Sequence, residues 1–302
     1  MKKVLGLSLM SVLMLSLASC LKDKTANIDP SGSPAVVGWS TSTTGDQPAD
    51  VTAGFTRYSR SYNISTTETE MLVQVSYSGS SLPTSDVTVN LGLDLDALKA
   101  YNAAHSPQTS VVLPSTVYTM PSSVVIKAGQ RKADIVVKLK TNLFDLQQAY
   151  ILPLKITSTS AGAVSSNYGT VLYSVGAKNQ YDGVYALKGY VVRQGDTGGL
   201  MGYTVKGIAN RELITLGPNS VSFTQLWANG GGIAGIDGTT ITVNPTTNKV
   251  TMSASSNPAL KNLESYDNRY DPATKTFYIS FYWGNGPAHR AATDTLTYIG
   301  PR

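Results

Sequence analysis

The chain has 302 residues, of which 41% are hydrophobic and only 14% charged, with a formal net charge of +5. Its basic residues are scattered, so the arginine-rich stripe that would grip nucleic acid is missing. Cys20 is the single cysteine, which excludes a disulfide framework.

In chain order, Met1-Lys2-Lys3 supplies a positive start, and the apolar run Val4 to Leu17 that follows is too short to span a membrane. Leu17-Ala18-Ser19-Cys20 then has the lipobox spacing, a Leu and two small residues before Cys. Residues 1–19 are expected to leave as a lipoprotein signal peptide, with Cys20 becoming the lipidated first residue. Lys2 and Lys3 go with the leader, which takes the side-chain balance from +5 to +3. Acyl chains contribute about 0.8 kcal/mol per buried methylene, so several on one cysteine anchor a protein without a transmembrane helix. Residues 20–34 are poor in apolar side chains and rich in breakers, and they read as a tether between lipid and fold.

Low charge with abundant Ser, Thr, Gly, Val and Tyr predicts a mostly β protein. Across residues 35–176, alternating apolar segments fall at 54–58, 70–77, 87–93, 123–127, 133–140, 150–157 and 168–175. Short strands at this spacing imply a β-sandwich. One helix interrupts them, with Asp96 expected to cap Ala97 to Ala103 before Ser106-Pro107 stops it. Asp94 and Asp96 would share a face if both lay on a strand, an arrangement suggestive of a glycosidase carboxylate pair; a strand end followed by an N-cap is the simpler reading.

Residues 177–302 form a second unit, with candidate strands at 183–193, 201–209, 212–216, 220–227, 239–244, 249–254, 276–283 and 290–298. Eight consecutive antiparallel strands can close on themselves, so a small up-and-down, lipocalin-like barrel is expected, with a second sandwich as the alternative.

The chain is poor in catalytic signals. A base is needed beside any Ser or Thr nucleophile, and the two histidines, His105 and His289, read as surface-loop residues away from any Gly-x-Ser-x-Gly elbow. No His-Glu-x-x-His, paired cysteines or calcium-loop repeat is found, so neither a metal nor a cofactor is expected. Gly230, Gly232 and Gly235 satisfy Gly-x-Gly-x-x-Gly, but a dinucleotide site needs a strand before them, a helix after them and a parallel sheet around them. A loop using glycine's access to positive φ is the better account.

The aromatic residues of the second unit remain. Alternation along 276–283 puts Phe277, Ile279 and Phe281 on one face, read as core, and Tyr278 and Tyr282 on the other. Trp283 and Trp227 end their strands beside glycine loops. Sugar rings present C–H faces that stack on indole, while amides and charged groups bind their hydroxyls. Trp227, Asn229, Asp237, Tyr282, Trp283, Asn285 and Arg290 are therefore the candidate ligand-binding set. The plainer alternative is that either tryptophan plugs one end of the barrel.

The run Leu113-Pro114-Ser115-Thr116-Val117-Tyr118, then Val125-Ile126-Lys127-Ala128-Gly129, then Tyr150-Ile151-Leu152-Pro153-Leu154-Lys155-Ile156 resembles the N-terminal domain of a family of Bacteroidetes surface lipoproteins. Tyr101-Asn102 fits the same pattern. The second half, from Tyr181-Asp182-Gly183-Val184-Tyr185 to Arg290–Leu296, is similar to the C-terminal domain that often accompanies it. The resemblance implies an immunoglobulin-like first domain of unassigned function, lipid-anchored display on the outer membrane, and glycan handling beside Sus-type uptake systems. It transfers no catalytic residue. The function it implies is non-catalytic binding or presentation of complex glycans, with a Sus-type transporter complex as a partner. A structural or adhesive protein-binding subunit is the alternative, and a glycoside hydrolase a weaker one.

Overall fold

The computed structural model describes residues 34–40, 48–52, 54–195, 202–204, 210–227 and 230–302. The expected signal peptide, Cys20 and most of the tether lie outside the described residues, as does Asn229.

The first half is a sandwich of two sheets. One runs in the order Ala163–Val164, Val36–Trp39, Thr69–Ser78, Lys132–Leu139, Tyr118–Thr119. The other runs Asp50–Thr52, Phe55–Asn63, Thr170–Lys178, Tyr150–Thr159, Val87–Leu93, Ser123–Ile126, with Val111–Val112 added beside Tyr150–Thr159. Alternation builds the core directly: Ile135, Val137 and Leu139 are buried, whereas Lys132, Asp134, Val136 and Lys138 are exposed.

The Tyr150–Thr159 strand breaks that rule, because Tyr150 to Leu154 are all buried. Its second face is covered by the helix Leu95–Ala104, whose Ala97, Leu98 and Tyr101 pack on Ile151 and Leu172. The helix is capped by Asp94 rather than Asp96, with Ala97 N–H donating to Asp94 Oδ1 at 3.1 Å. The strand ends at Leu93, so Asp94 holds the junction and Asp96 sits inside the first turn. Asp94 also pairs with Lys155 at 3.0 Å and accepts from Thr170 Oγ1 at 2.9 Å. Burial opposes its ionisation, but the Lys155, Ala97 and Thr170 hydrogen bonds outweigh that and hold its carboxyl below the usual range.

The second half is a nearly closed antiparallel barrel. Its strands run Val250–Ala254, Thr239–Val243, Ser220–Ser222, Arg211–Gly217, Gly183–Arg193, Arg290–Gly300, Thr276–Tyr282, Lys261–Asn262. This is the sequence order wrapped round, with the first strand, Gly183–Arg193, paired to the last from Val184 to Arg193. Gly202–Thr204 adds to the first strand, and the rest of the expected 201–209 strand lies outside the described residues. The expected 220–227 strand stops at Ser222.

Side chains close the seam between Val250–Ala254 and the segment 261–271. Met252 N–H donates to Asn262 Oδ1 at 2.7 Å, and Asn262 Nδ2 donates to Val250 O at 2.6 Å. Asn268, 6% exposed, accepts from Ser280 N–H at 2.6 Å through Oδ1 and from Val250 N–H at 3.1 Å through its own carbonyl. Two asparagines thus stand in for missing ladder rungs.

Candidate functional site at the loop end of the barrel

In an antiparallel meander, alternate connections fall at the same end. Segments 223–238, 255–260 and 283–289 therefore gather at one mouth of the barrel, where Arg193, Tyr282 and Arg290 also end or begin their strands. Topology alone brings the described members of the candidate set to this end. Exposure then divides it.

Trp283 is 1% exposed and packs 5.9 Å from Phe281, so its indole belongs to the core and offers no open stacking face. The expectation of a Trp283 platform is corrected on this point. The reason was present in the alternation, because position 283 continues the inward series of Phe277, Ile279 and Phe281. Trp227 is half-buried at the margin of the same core. The Arg193 guanidinium lies 5.6 Å over its ring, a cation–π pair that the sequence did not signal because the two residues are far apart in the chain. A tight turn fixes the indole: Trp227 N–H donates to Gly231 O at 2.8 Å and Gly230 N–H donates to Trp227 O at 2.9 Å. Gly230 and Gly235 take positive φ, and the surrounding strands are antiparallel.

Arg290 is half-buried beside Trp283, whose N–H donates to Arg290 O at 3.1 Å. Arg290 Nε, His289 Nδ1 and Trp283 Nε1 are buried with no hydrogen-bond partner among the described residues. Asn285 and Asp237 are exposed; the Asp237 carbonyl accepts from Ser256 Oγ at 2.9 Å, which draws its loop toward segment 255–257. Tyr282 is half-exposed and points outward from the barrel wall. Trp227 with Arg193, and Trp283 with Arg290, are thus brought together.

Neither histidine is a plain surface-loop residue. His105 stacks on Tyr101 at 4.0 Å between centroids, with Nε2 2.8 Å from Asp50 Oδ2 and Nδ1 2.9 Å from Tyr101 O. His289 packs against Gly284, which takes φ +74°. Among the described residues no cluster of three or more His, Cys, Asp or Glu could hold a metal ion.

Sequence reasoning missed Asp294. It is 2% exposed inside the barrel, with Gly189 directly opposite, where a Cβ would collide with its carboxylate. Burial pushes its carboxyl up to about 8, opposed by the hydrogen bond from Gln225 Nε2 at 3.5 Å. Asp294 Oδ2 and Gln225 Oε1 have no hydrogen-bond partner among the described residues. The signal lay in the series Ala292, Asp294, Leu296, which puts an acid at an inward position.

Two family models match the chain, one for an N-terminal domain over residues 41–163 and one for a C-terminal region over residues 169–297. No curated protein matches the sequence. Among solved structures, two Bacteroides ovatus proteins of unknown function are similar. One has 14% identity and a TM-score of 0.57, over 88% of this chain and 95% of that one. The other has 17% identity and a TM-score of 0.52, over 87% and 93%. An auxiliary nutrient binding protein from Bacteroides thetaiotaomicron aligns at 18% identity and a TM-score of 0.49, over 80% and 90%. At such identities the likeness is one of fold. The order of the two matched domains, with the likeness to Bacteroides structures, is consistent with a two-domain Bacteroidetes protein.

Proposed function

We propose that this is a non-catalytic, lipid-anchored envelope protein that binds or presents complex glycans for a Sus-type uptake system, held at the outer-membrane surface through Cys20. The observation that carries the reading is the half-exposed Trp227 beneath Arg193 at the loop end of the barrel, with Asn285 exposed at the same mouth. An indole edge with a cation and an amide around it suits the C–H face and hydroxyls of a sugar.

Calorimetric titration of the mature protein against a glycan panel tests this. Trp227→Ala should weaken binding roughly tenfold while the melting temperature holds, since Trp227 only borders the core. Parent-like binding by the variant would move the site elsewhere. In cells, Cys20→Ala should abolish palmitate incorporation and release the protein from membranes. A protein-binding role has one observation in its favour, the edge strand Ser123–Ile126 with Val125 38% exposed, and pull-down of a stoichiometric protein partner without glycan binding would favour it.

A further inference from the structure

The outer wall of the barrel carries an aromatic and cationic face that shares only Tyr282 with the loop-end candidate set. On Gly183–Arg193 the residues Tyr185, Leu187 and Val191 point inward, so Lys188 and Tyr190 point out. Directly opposed residues on paired strands share a face, and the register aligns three rows across the wall. The first is Lys188, Thr295, Tyr278, Arg269; the second Tyr190, Thr293, Ser280; the third Val192, Ala291, Tyr282, Lys261.

The middle strand thus contributes only short side chains, between Tyr190 on one side and Tyr278 and Tyr282 on the other. Two strand spacings set the gap at about 10 Å, and four residues along one strand separate Tyr278 from Tyr282 by about 14 Å. Tyr190 is 47% exposed.

The charged side chains of the three rows are all basic, with Asp267 as the acid beside them. Arg269 lies 4.1 Å over the Tyr278 ring and pairs with Asp267 at 3.2 Å, and Lys249 holds the same carboxylate. Lys188 and Lys261 form no ion pair among the described residues, and none of the three rows contains an acid. Exposed aliphatic surface here is limited to Val192 and Ala291, too little for the apolar centre of a protein interface.

We infer that this face binds an acidic polysaccharide, whose rings stack on Tyr190, Tyr278 and Tyr282 and whose carboxylate or sulfate groups meet Lys188 and Lys261. The inference rests on the glycan-binding reading above and adds both the chemistry of the glycan and a second surface for it. An anionic polymer repeats its charge along its length, which matches cations at opposite corners of an aromatic patch, and attraction at such a rim acts mainly on encounter and is screened by salt.

The test is titration of the mature protein with polygalacturonate, chondroitin sulfate and neutral mannan, which separates carboxylate, sulfate and uncharged sources. The parent should prefer an acidic polymer, with affinity falling as salt rises. Tyr190→Ala with Tyr278→Ala should weaken that binding roughly tenfold or more. Tyr190→Phe with Tyr278→Phe keeps the rings and should restore it, which guards against a folding artefact. Lys188→Ala with Lys261→Ala should weaken acidic polymers several-fold and remove most of the salt dependence. Preference of the parent for mannan, or parent-like binding by both the tyrosine-to-alanine and the lysine pairs, overturns the inference. If those pairs bind normally while Trp227→Ala does not, the glycan reading stands and this face falls; if the parent binds no glycan, both fall.

Discussion

The two halves bury polar side chains to different extents. In the sandwich the one fully buried polar side chain among the described residues is Thr141, which donates to Asn63 O and accepts from Ser65 N–H, both at 2.9 Å. The barrel buries Gln225, Asn268, Ser280 and Asp294 among others, and leaves atoms of Gln225 and Asp294 unpartnered. An unsatisfied buried group costs about 1–3 kcal/mol, and both halves carry some, since Arg57 Nε and Gln74 Oε1 of the sandwich also lack a partner among the described residues; the barrel differs in burying whole polar side chains that stability alone would replace.

The largest test of that contrast is Trp283→Ala. Truncating a fully buried indole should cost about 3–5 kcal/mol, and the loss should fall on the barrel transition while the sandwich transition stays in place. Differential scanning calorimetry would read it, and an unchanged barrel transition would return Trp283 to the surface. Next in size, Asn268→Ala removes the acceptor of Ser280 N–H and the donor to Leu263 O and Tyr266 O, and should cost about 2 kcal/mol by urea titration. A negligible loss would mean that the seam closes without it.

The smallest effect is the sharpest, because the halves should differ in the sign of their pH dependence. Asp94 has a depressed carboxyl, so the stability it contributes is present above the unfolded value near 4 and is lost as pH falls below it. Asp294 has a raised one, so the fold is fully favoured below about 4 and loses stability as pH climbs toward about 8. Asp294→Asn should raise the barrel's melting temperature by several degrees at pH 9 and leave it little changed at pH 4. An equal shift at both pH values would show that Asp294 does not titrate in this window.

Much of this architecture was legible in the sequence. Period-two alternation located strands such as Gly183–Arg193 and Val87–Leu93 to the residue, since each presents one face to a core. It also sorted Phe277, Ile279 and Phe281 correctly, and Trp283 was misplaced only because its position beside a glycine turn was weighed above its parity. The Asp94 cap was missed by two residues, as a strand end and a helix start share one short junction. The tyrosine face was illegible for a different reason: Tyr190 and Tyr278 are neighbours only through the register of three strands, which is a property of closure and leaves no local trace.

Pairing of the first barrel strand with the last has a kinetic consequence. Residues 184–193 wait for residues 290–300, so the ring can form only after nearly the whole second half is available, and its closing contact is the most sequence-distant in that unit. Such non-local pairing is slow, and until it forms, the long edge of Gly183–Arg193 stands open to pairing with another chain. A chain cut before Arg290 would keep that edge open, and is expected to pair through it with other chains.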